Sequence, residues 1–138
     1  MTLMKTILLV EDDENDVYFM KQAATKVNMR NPMHVACDGQ EALNYFKGEG
    51  NFKDRTQFAL PSLVLLDLKL PRVMGMEVLK WIRQQPEFKT LAVIVMTSSE
   101  LQSDIKAAYS YGATSYLVKP ALPAELCQML TGMKAHWE

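Results

Sequence analysis

The sequence predicts an α/β fold, a parallel sheet of five strands with helices on both faces. Three observations carry that expectation. Short apolar runs alternate with segments of helical period along the 138 residues. The strongest runs are nearly continuous in apolar residues rather than alternating, as strands covered on both faces must be. Polar and acidic residues gather just after the runs, where an open parallel sheet presents its ligand-binding edge.

Each element has its own signal. Thr6–Val10 is a first strand, closed by Glu11, Asp12 and Asp13. Asn15–Val27 then puts Val17, Met20, Ala24 and Val27 at helical spacing. Met33–Cys37 is a weaker strand, ended by the turn pair Asp38-Gly39. Gln40–Phe46 offers Ala42, Leu43 and Phe46 as a second helix face. The long polar connection Lys47–Pro61 reads as a surface loop pinned by Phe52 and Phe58. Ser62–Leu66 is the third strand and stops at Asp67. Gly75–Gln85 carries Val78, Leu79 and Ile82 as the third helix. Leu91–Met96 stops at Thr97, and Glu100–Tyr111 follows as a fourth helix with Ser99 as its candidate cap. Thr114–Val118 stops at Lys119, and Pro123–Met133 is the last helix, Pro123 sitting in its first turn. Right-handed crossovers leave the order 2-1-3-4-5 as the natural choice, the flavodoxin-like doubly wound sheet flanked by five helices. The length suits one domain spanning residues 1–138, and no repeat or second domain is visible.

Composition excludes several function classes. With 15 basic and 16 acidic residues the net charge is −1, which offers no field for a nucleic-acid backbone. No apolar run approaches the ~20 residues of a membrane helix, and the amino terminus is too short in apolar residues for a signal peptide. A small soluble cytoplasmic domain is expected. Cys37 and Cys127 form no CxxC pair and read as reduced thiols. His34 and His136 lack partners at ligand spacing, so zinc-hydrolase and Ser-His-Asp chemistry are poor readings.

The strand ends carry the chemistry. Glu11, Asp12 and Asp13 follow strand 1, Asp67 follows strand 3, Thr97 and Ser98 follow strand 4, and Lys119 follows strand 5. Strands 1 and 3 should be neighbours, so at least three carboxylates converge. Clustered carboxylates resist joint ionisation unless a cation sits among them. Oxygen donors in a small site favour Mg²⁺, which commonly partners a phosphate. A carboxylate can itself be the nucleophile of phosphoryl transfer, giving an aspartyl phosphate. Lys119 and Thr97 would then each meet a phosphoryl oxygen. Taken singly, every one of these residues has a plainer reading. For Asp13, capping the first helix is favoured over metal binding. All of them together on one sheet edge are far less easily a coincidence.

The motifs Leu-Leu-Val-Glu11-Asp12-Asp13, Leu-Leu-Asp67-Leu-Lys-Leu-Pro71 with Gly75, Val-Met-Thr97-Ser98 and Ser-Tyr116-Leu-Val-Lys119-Pro120 resemble the receiver domain of two-component response regulators. The resemblance runs from about Lys5 to Met133, and the 30 residues from Asp67 to Thr97 and 22 from Thr97 to Lys119 agree with it. It implies that Asp67 accepts the phosphoryl group and that Asp12 ligates Mg²⁺. Glu11 would be the second acid, Lys69 would lend its backbone carbonyl to the metal, and Thr97 and Tyr116 would form the switch. It also implies a cis Lys119-Pro120 bond. Lys69 replaces the Asn or Met common two residues after the phosphoacceptor, and Ala92 stands where many relatives have Pro. The long Lys47–Pro61 connection resembles the small stand-alone regulators paired with bacterial phytochromes.

The resemblance implies a stand-alone response regulator, phosphorylated on Asp67 by a histidine kinase and signalling by protein contact, with no output domain. It would be no enzyme beyond catalysing its own phosphorylation and dephosphorylation. Its partners would be the kinase and either a downstream protein or a second copy, the latter through helix 4, strand 5 and helix 5. Tyr109, Tyr111 and Met133–Trp137 are candidates for such a surface, with ordinary packing at least as good an account of them. No nucleic acid or membrane is expected. Three alternatives remain. One is a receiver-like interaction domain that works without phosphorylation. An Asp-nucleophile phosphohydrolase would want an acid at position 69, where Lys69 stands. A flavin carrier would want a phosphate-cradling loop after strand 1, where Glu11-Asp12-Asp13 stands.

Overall fold

The computed structural model describes residues 4–119 and 122–138. Five parallel strands lie in the order β2-β1-β3-β4-β5: β1 is Thr6–Val10, β2 Met33–Ala36, β3 Pro61–Asp67, β4 Ala92–Thr97 and β5 Ser115–Val118. The helices between and after them are α1 (Glu14–Lys26), α2 (Gly39–Lys47), α3 (Gly75–Gln84), α4 (Gln102–Ser110) and α5 (Pro123–Gly132). This is the fold and strand order expected. Short 3-10 turns at Gly50–Phe52, Pro86–Phe88 and Lys134–His136 have no counterpart in the helical periodicity.

The continuous apolar runs work because strand side chains alternate between faces. Leu8, Val10, Val64, Leu66, Val93 and Val95 pack under α2, α3 and α4 against Tyr45, Phe46, Val78, Leu79 and Ile82. Ile7, Leu9, Leu63, Leu65, Ile94 and Met96 pack on the other face under α1 and α5, with Met20, Leu126, Leu130 and Trp137. Full burial of one such aliphatic side chain contributes about 1.5–3 kcal/mol, so the two layers are the main source of stability. Each layer holds one tryptophan. Trp81 on α3 packs tilted against Phe46, ring centroids 5.9 Å apart, and lies under the Lys47 ammonium. Trp137 is buried, and its indole N–H donates to the Leu130 carbonyl at 2.8 Å.

Helix starts follow their caps. Asp13 caps α1, accepting from the amides of Asn15 (2.8 Å) and Asp16 (3.3 Å), as expected of it. Asp38 does the same for α2, accepting from Glu41 at 2.8 Å. Pro123 opens α5. α4 begins at Gln102, two residues later than expected, with Leu101 at the cap position. The reason is Ser99, whose hydroxyl donates to Asp104 at 2.5 Å and accepts from the Leu101 amide at 3.3 Å. It bridges the loop to the helix instead of standing next to the first turn.

The connection between α2 and β3 is pinned as expected. Phe52 is buried and Phe58 packs beside it with ring centroids 5.2 Å apart. Tyr45 adds a hydroxyl that donates to the Ala59 carbonyl at 2.7 Å. Arg55 donates to the carbonyls of Phe46 (2.7 Å) and Phe58 (3.1 Å). The Trp137 end of the chain is packed, which removes that residue from the candidate surface, whereas Tyr109 and Tyr111 are exposed. Cys37 and Cys127 are both free thiols. No described helix is long and apolar enough to cross a membrane. The expected cis bond at Pro120 lies outside the described residues.

Candidate functional site

Strand register decides which side chains meet. Val10 pairs with Leu66 across β1 and β3, Asp67 with Met96 across β3 and β4, and Thr97 with Val118 across β4 and β5. Glu11 and Asp67 therefore finish their strands at one level, with Thr97 one residue and Lys119 two residues further along the same edge. The Lys119 amide donates to the Thr97 carbonyl at 2.8 Å and fixes the last of them. The loop after β3 folds tightly back over the edge. A Cβ on Gly75 would stand 2.0 Å from the Asp67 carbonyl oxygen, so only glycine lets α3 start this close to the acid.

The site is an open cleft of about 390 Å³ lined by Glu11, Asp12, Asp13, Asp16, Asp67, Lys69, Ser98 and Lys119. Glu11 and Asp67 are nearly buried, while Asp12 is exposed. One oxygen each from Glu11, Asp12 and Asp67 lie within 4.8 Å of one another. The Lys119 ammonium donates to Glu11, to Asp16 at 2.9 Å and to Asp67 at 3.1 Å. The other oxygen of Asp67 accepts from the Lys69 amide at 3.2 Å, and the other oxygen of Glu11 from the Asp13 amide at 3.2 Å.

Electrostatics explain what this cleft lacks. Burial pushes the Glu11 carboxyl up to about 7; Lys119 pulls it down and Asp67 pushes it further up. Burial alone would lower Lys119, but its bonds to Glu11 and Asp16 and the charge of Asp67 outweigh that and hold it above its ordinary value. Lys119 therefore stays an ammonium, and the cleft sets it and Lys69 against five acids, Glu11, Asp12, Asp13, Asp16 and Asp67. A hard divalent cation would offset the excess negative charge, and the three clustered carboxylate oxygens are donors of the kind it takes. The site fits a divalent metal.

Neither switch candidate lines the cleft. Thr97 is fully buried, and its hydroxyl has no hydrogen-bond partner among the described residues. Tyr116 is half-buried, and its hydroxyl donates to the Ser99 carbonyl at 3.0 Å. Thus Glu11, Asp12, Asp67, Lys69 and Lys119 come together, while Thr97 and Tyr116 are outside the lining, where Ser98 represents the end of β4. Asp16 is the residue that sequence reasoning missed. Its signal is its position, third in a helix that leaves directly from the acid triplet. A separate apolar groove of about 210 Å³ between α1 and α5, lined by Phe19, Ala23, Pro123 and Leu126 among others, holds no acid.

Comparison with known proteins agrees with this geometry. The family model described as response regulator receiver domain matches residues 7–131. The chain is 32% identical over 133 residues to response regulator Rcp1 of Synechocystis sp., covering 96% of this chain and 88% of that protein. The crystal structure of the Mn²⁺-bound form of Rcp1 superposes with a TM-score of 0.82 at 31% identity, over 95% of this chain and 92% of that one. The phosphorylated cyanobacterial phytochrome response regulator RcpA gives 0.83 at 32% identity, over 97% and 94%. Response regulator RPA3017, in red light signaling of R. palustris, gives 0.86 at 32% identity, also over 97% and 94%.

Proposed function

We propose, from the premise that this chain belongs to the response regulator receiver family, that Asp67 is its phosphoacceptor and that a histidine kinase is the donor. The observation that carries this reading is the pairing of Asp67 with Lys119 and two further acids in an open cleft. An Asp67 carboxylate oxygen attacks phosphorus, the bond from phosphorus to the donor's imidazole nitrogen breaks, and the nitrogen leaves with the electron pair. Phosphoryl transfer needs mostly positioning and charge stabilisation, which these side chains offer.

Mg²⁺ is the proposed physiological metal, held by Asp12 and Asp67, with Glu11 as the further acid and the Lys69 carbonyl as a backbone donor. When bound, it would neutralise charge on the transferring oxygens. Lys119 turns one N–H from Asp67 to a phosphoryl oxygen. The Thr97 hydroxyl, unpartnered at rest, is free to bond another. Tyr116 then gives up the Ser99 carbonyl, which couples the site to the loop before α4.

The reading gives a cytoplasmic signalling protein that catalyses only its own phosphorylation and dephosphorylation. The face formed by α4, β5 and α5 exposes Leu101, Tyr109 and Leu122 and would meet a downstream protein or a second copy. The Rcp1, RcpA and RPA3017 relatives favour a phytochrome-type kinase as input. Incubation with Mg²⁺ and acetyl phosphate should add one phosphoryl group by intact mass, and Asp67→Asn should take none. A parent protein that stays unmodified while remaining folded would contradict the assignment.

A further inference from the structure

Asp16 stands outside the set of residues that carry the proposed reaction, yet it is one of the three acceptors of the Lys119 ammonium. An ammonium has three N–H donors, and here Glu11, Asp67 and Asp16 take one each. They come from different elements: the end of β1, the end of β3 and the first turn of α1. The three contacts are not equivalent in the reaction. Asp67 gives up the negative charge of the contacted carboxylate when it becomes an acyl phosphate. Glu11 is shared, since its other oxygen holds the Asp13 amide and it belongs to the acidic cluster. Asp16 belongs to neither the cluster nor the reacting pair. Its side chain is 36% exposed and that of Lys119 13%, so the contact sits at the rim of the cleft.

We infer that Asp16 is a positioning residue, a lateral anchor that keeps the Lys119 ammonium aimed at Asp67 while the other two contacts change. The inference rests on the proposed role of Lys119. Without the anchor, a long, rotamer-rich side chain is free to leave the cleft, and its ordering must be repeated at each transfer.

The test is the rate of phosphorylation by acetyl phosphate in Mg²⁺, followed by intact mass. Asp16→Leu should slow it about tenfold, and Asp16→Asn, whose amide oxygen can still accept from Lys119, should recover most of that loss. The Asp16→Leu effect should vanish in a Lys119→Ala background, because the anchor then has nothing to hold. A mere surface acid would behave in the opposite sense: removing negative charge beside an anionic donor would leave the rate unchanged or raise it. That outcome, or an undiminished Asp16→Leu loss without Lys119, overturns the inference while the phosphoacceptor reading stands. A Lys119→Ala variant as fast as the parent overturns the inference together with the role given to Lys119, and a parent that takes no phosphoryl group overturns the phosphoacceptor reading as well.

Discussion

At the scale of single residues, Glu11 concentrates the tension in the cleft. Its carboxyl is nearly buried, and burial raises it to about 7 against an ordinary value of 4.5. A raised carboxyl favours the fold in its neutral form. Its contribution is therefore complete below about pH 4.5 and is lost as pH rises through about 7 in the metal-free protein. A bound cation reverses the preference. Metal binding should release a proton from Glu11 below pH 7, and apparent Mg²⁺ affinity should rise about tenfold from about pH 6 to about pH 8, then level off. Titration calorimetry in buffers of different ionisation enthalpy checks this; a pH-independent affinity without proton release would refute it. The strand-end residues were readable in the sequence because each follows an apolar run. Asp16 was not, because a first-turn acid on a helix looks the same whether it faces solvent or a lysine from a strand more than 100 residues away.

At the scale of elements, periodicity identified every strand and every α-helix, and the misses have local causes. Side-chain bridges such as that of Ser99 to Asp104 leave no periodic trace, so α4 was expected two residues too early. The 3-10 turns are too short to carry a period. The α2–β3 connection was readable only as an anchored loop; the decisive polar contact, Tyr45 to the Ala59 carbonyl, belongs to a helix residue that the apolar face of Ala42, Leu43 and Phe46 leaves out. Tyr45→Phe leaves that carbonyl without its donor and should cost about 1–2 kcal/mol near neutral pH by chemical denaturation. Burial raises the Tyr45 phenol to about 12, so its neutral form is the one the fold prefers. The parent's advantage is complete below about pH 10 and fades as pH climbs toward 12. By about pH 11 the gap between parent and variant should shrink by roughly 1.4 kcal/mol. A gap constant with pH would show that the phenol does not differ between folded and unfolded chains.

At the scale of the whole molecule, the sheet and the cleft were legible together because one rule produces both. Strands buried on two faces must be apolar throughout, so whatever is polar is pushed to their ends, and parallel packing lines those ends up. What no strand pattern contains is the charge balance across elements, five acids against two lysines in one cleft. That imbalance couples stability to metal. Mg²⁺ at ten times its dissociation constant should stabilise the fold by about 1.4 kcal/mol, and a chelator should lower the melting midpoint accordingly. An unchanged midpoint in Asp12→Ala, with or without metal, is expected alongside it. If that variant were stabilised as much as the parent, the cluster would not be the metal's seat.

The division of the core into two layers has an optical consequence. Trp81 sits in the layer of α2 and α3, and Trp137 in the layer of α1 and α5. Neither lines the cleft. A phosphoryl group on Asp67 thus has no fluorophore in contact to quench. Any emission change on phosphorylation has to be carried there by movement of a packed layer. Replacing one indole at a time would divide that signal between the two sides of the sheet, so the two tryptophans would report separately on any rearrangement of either layer.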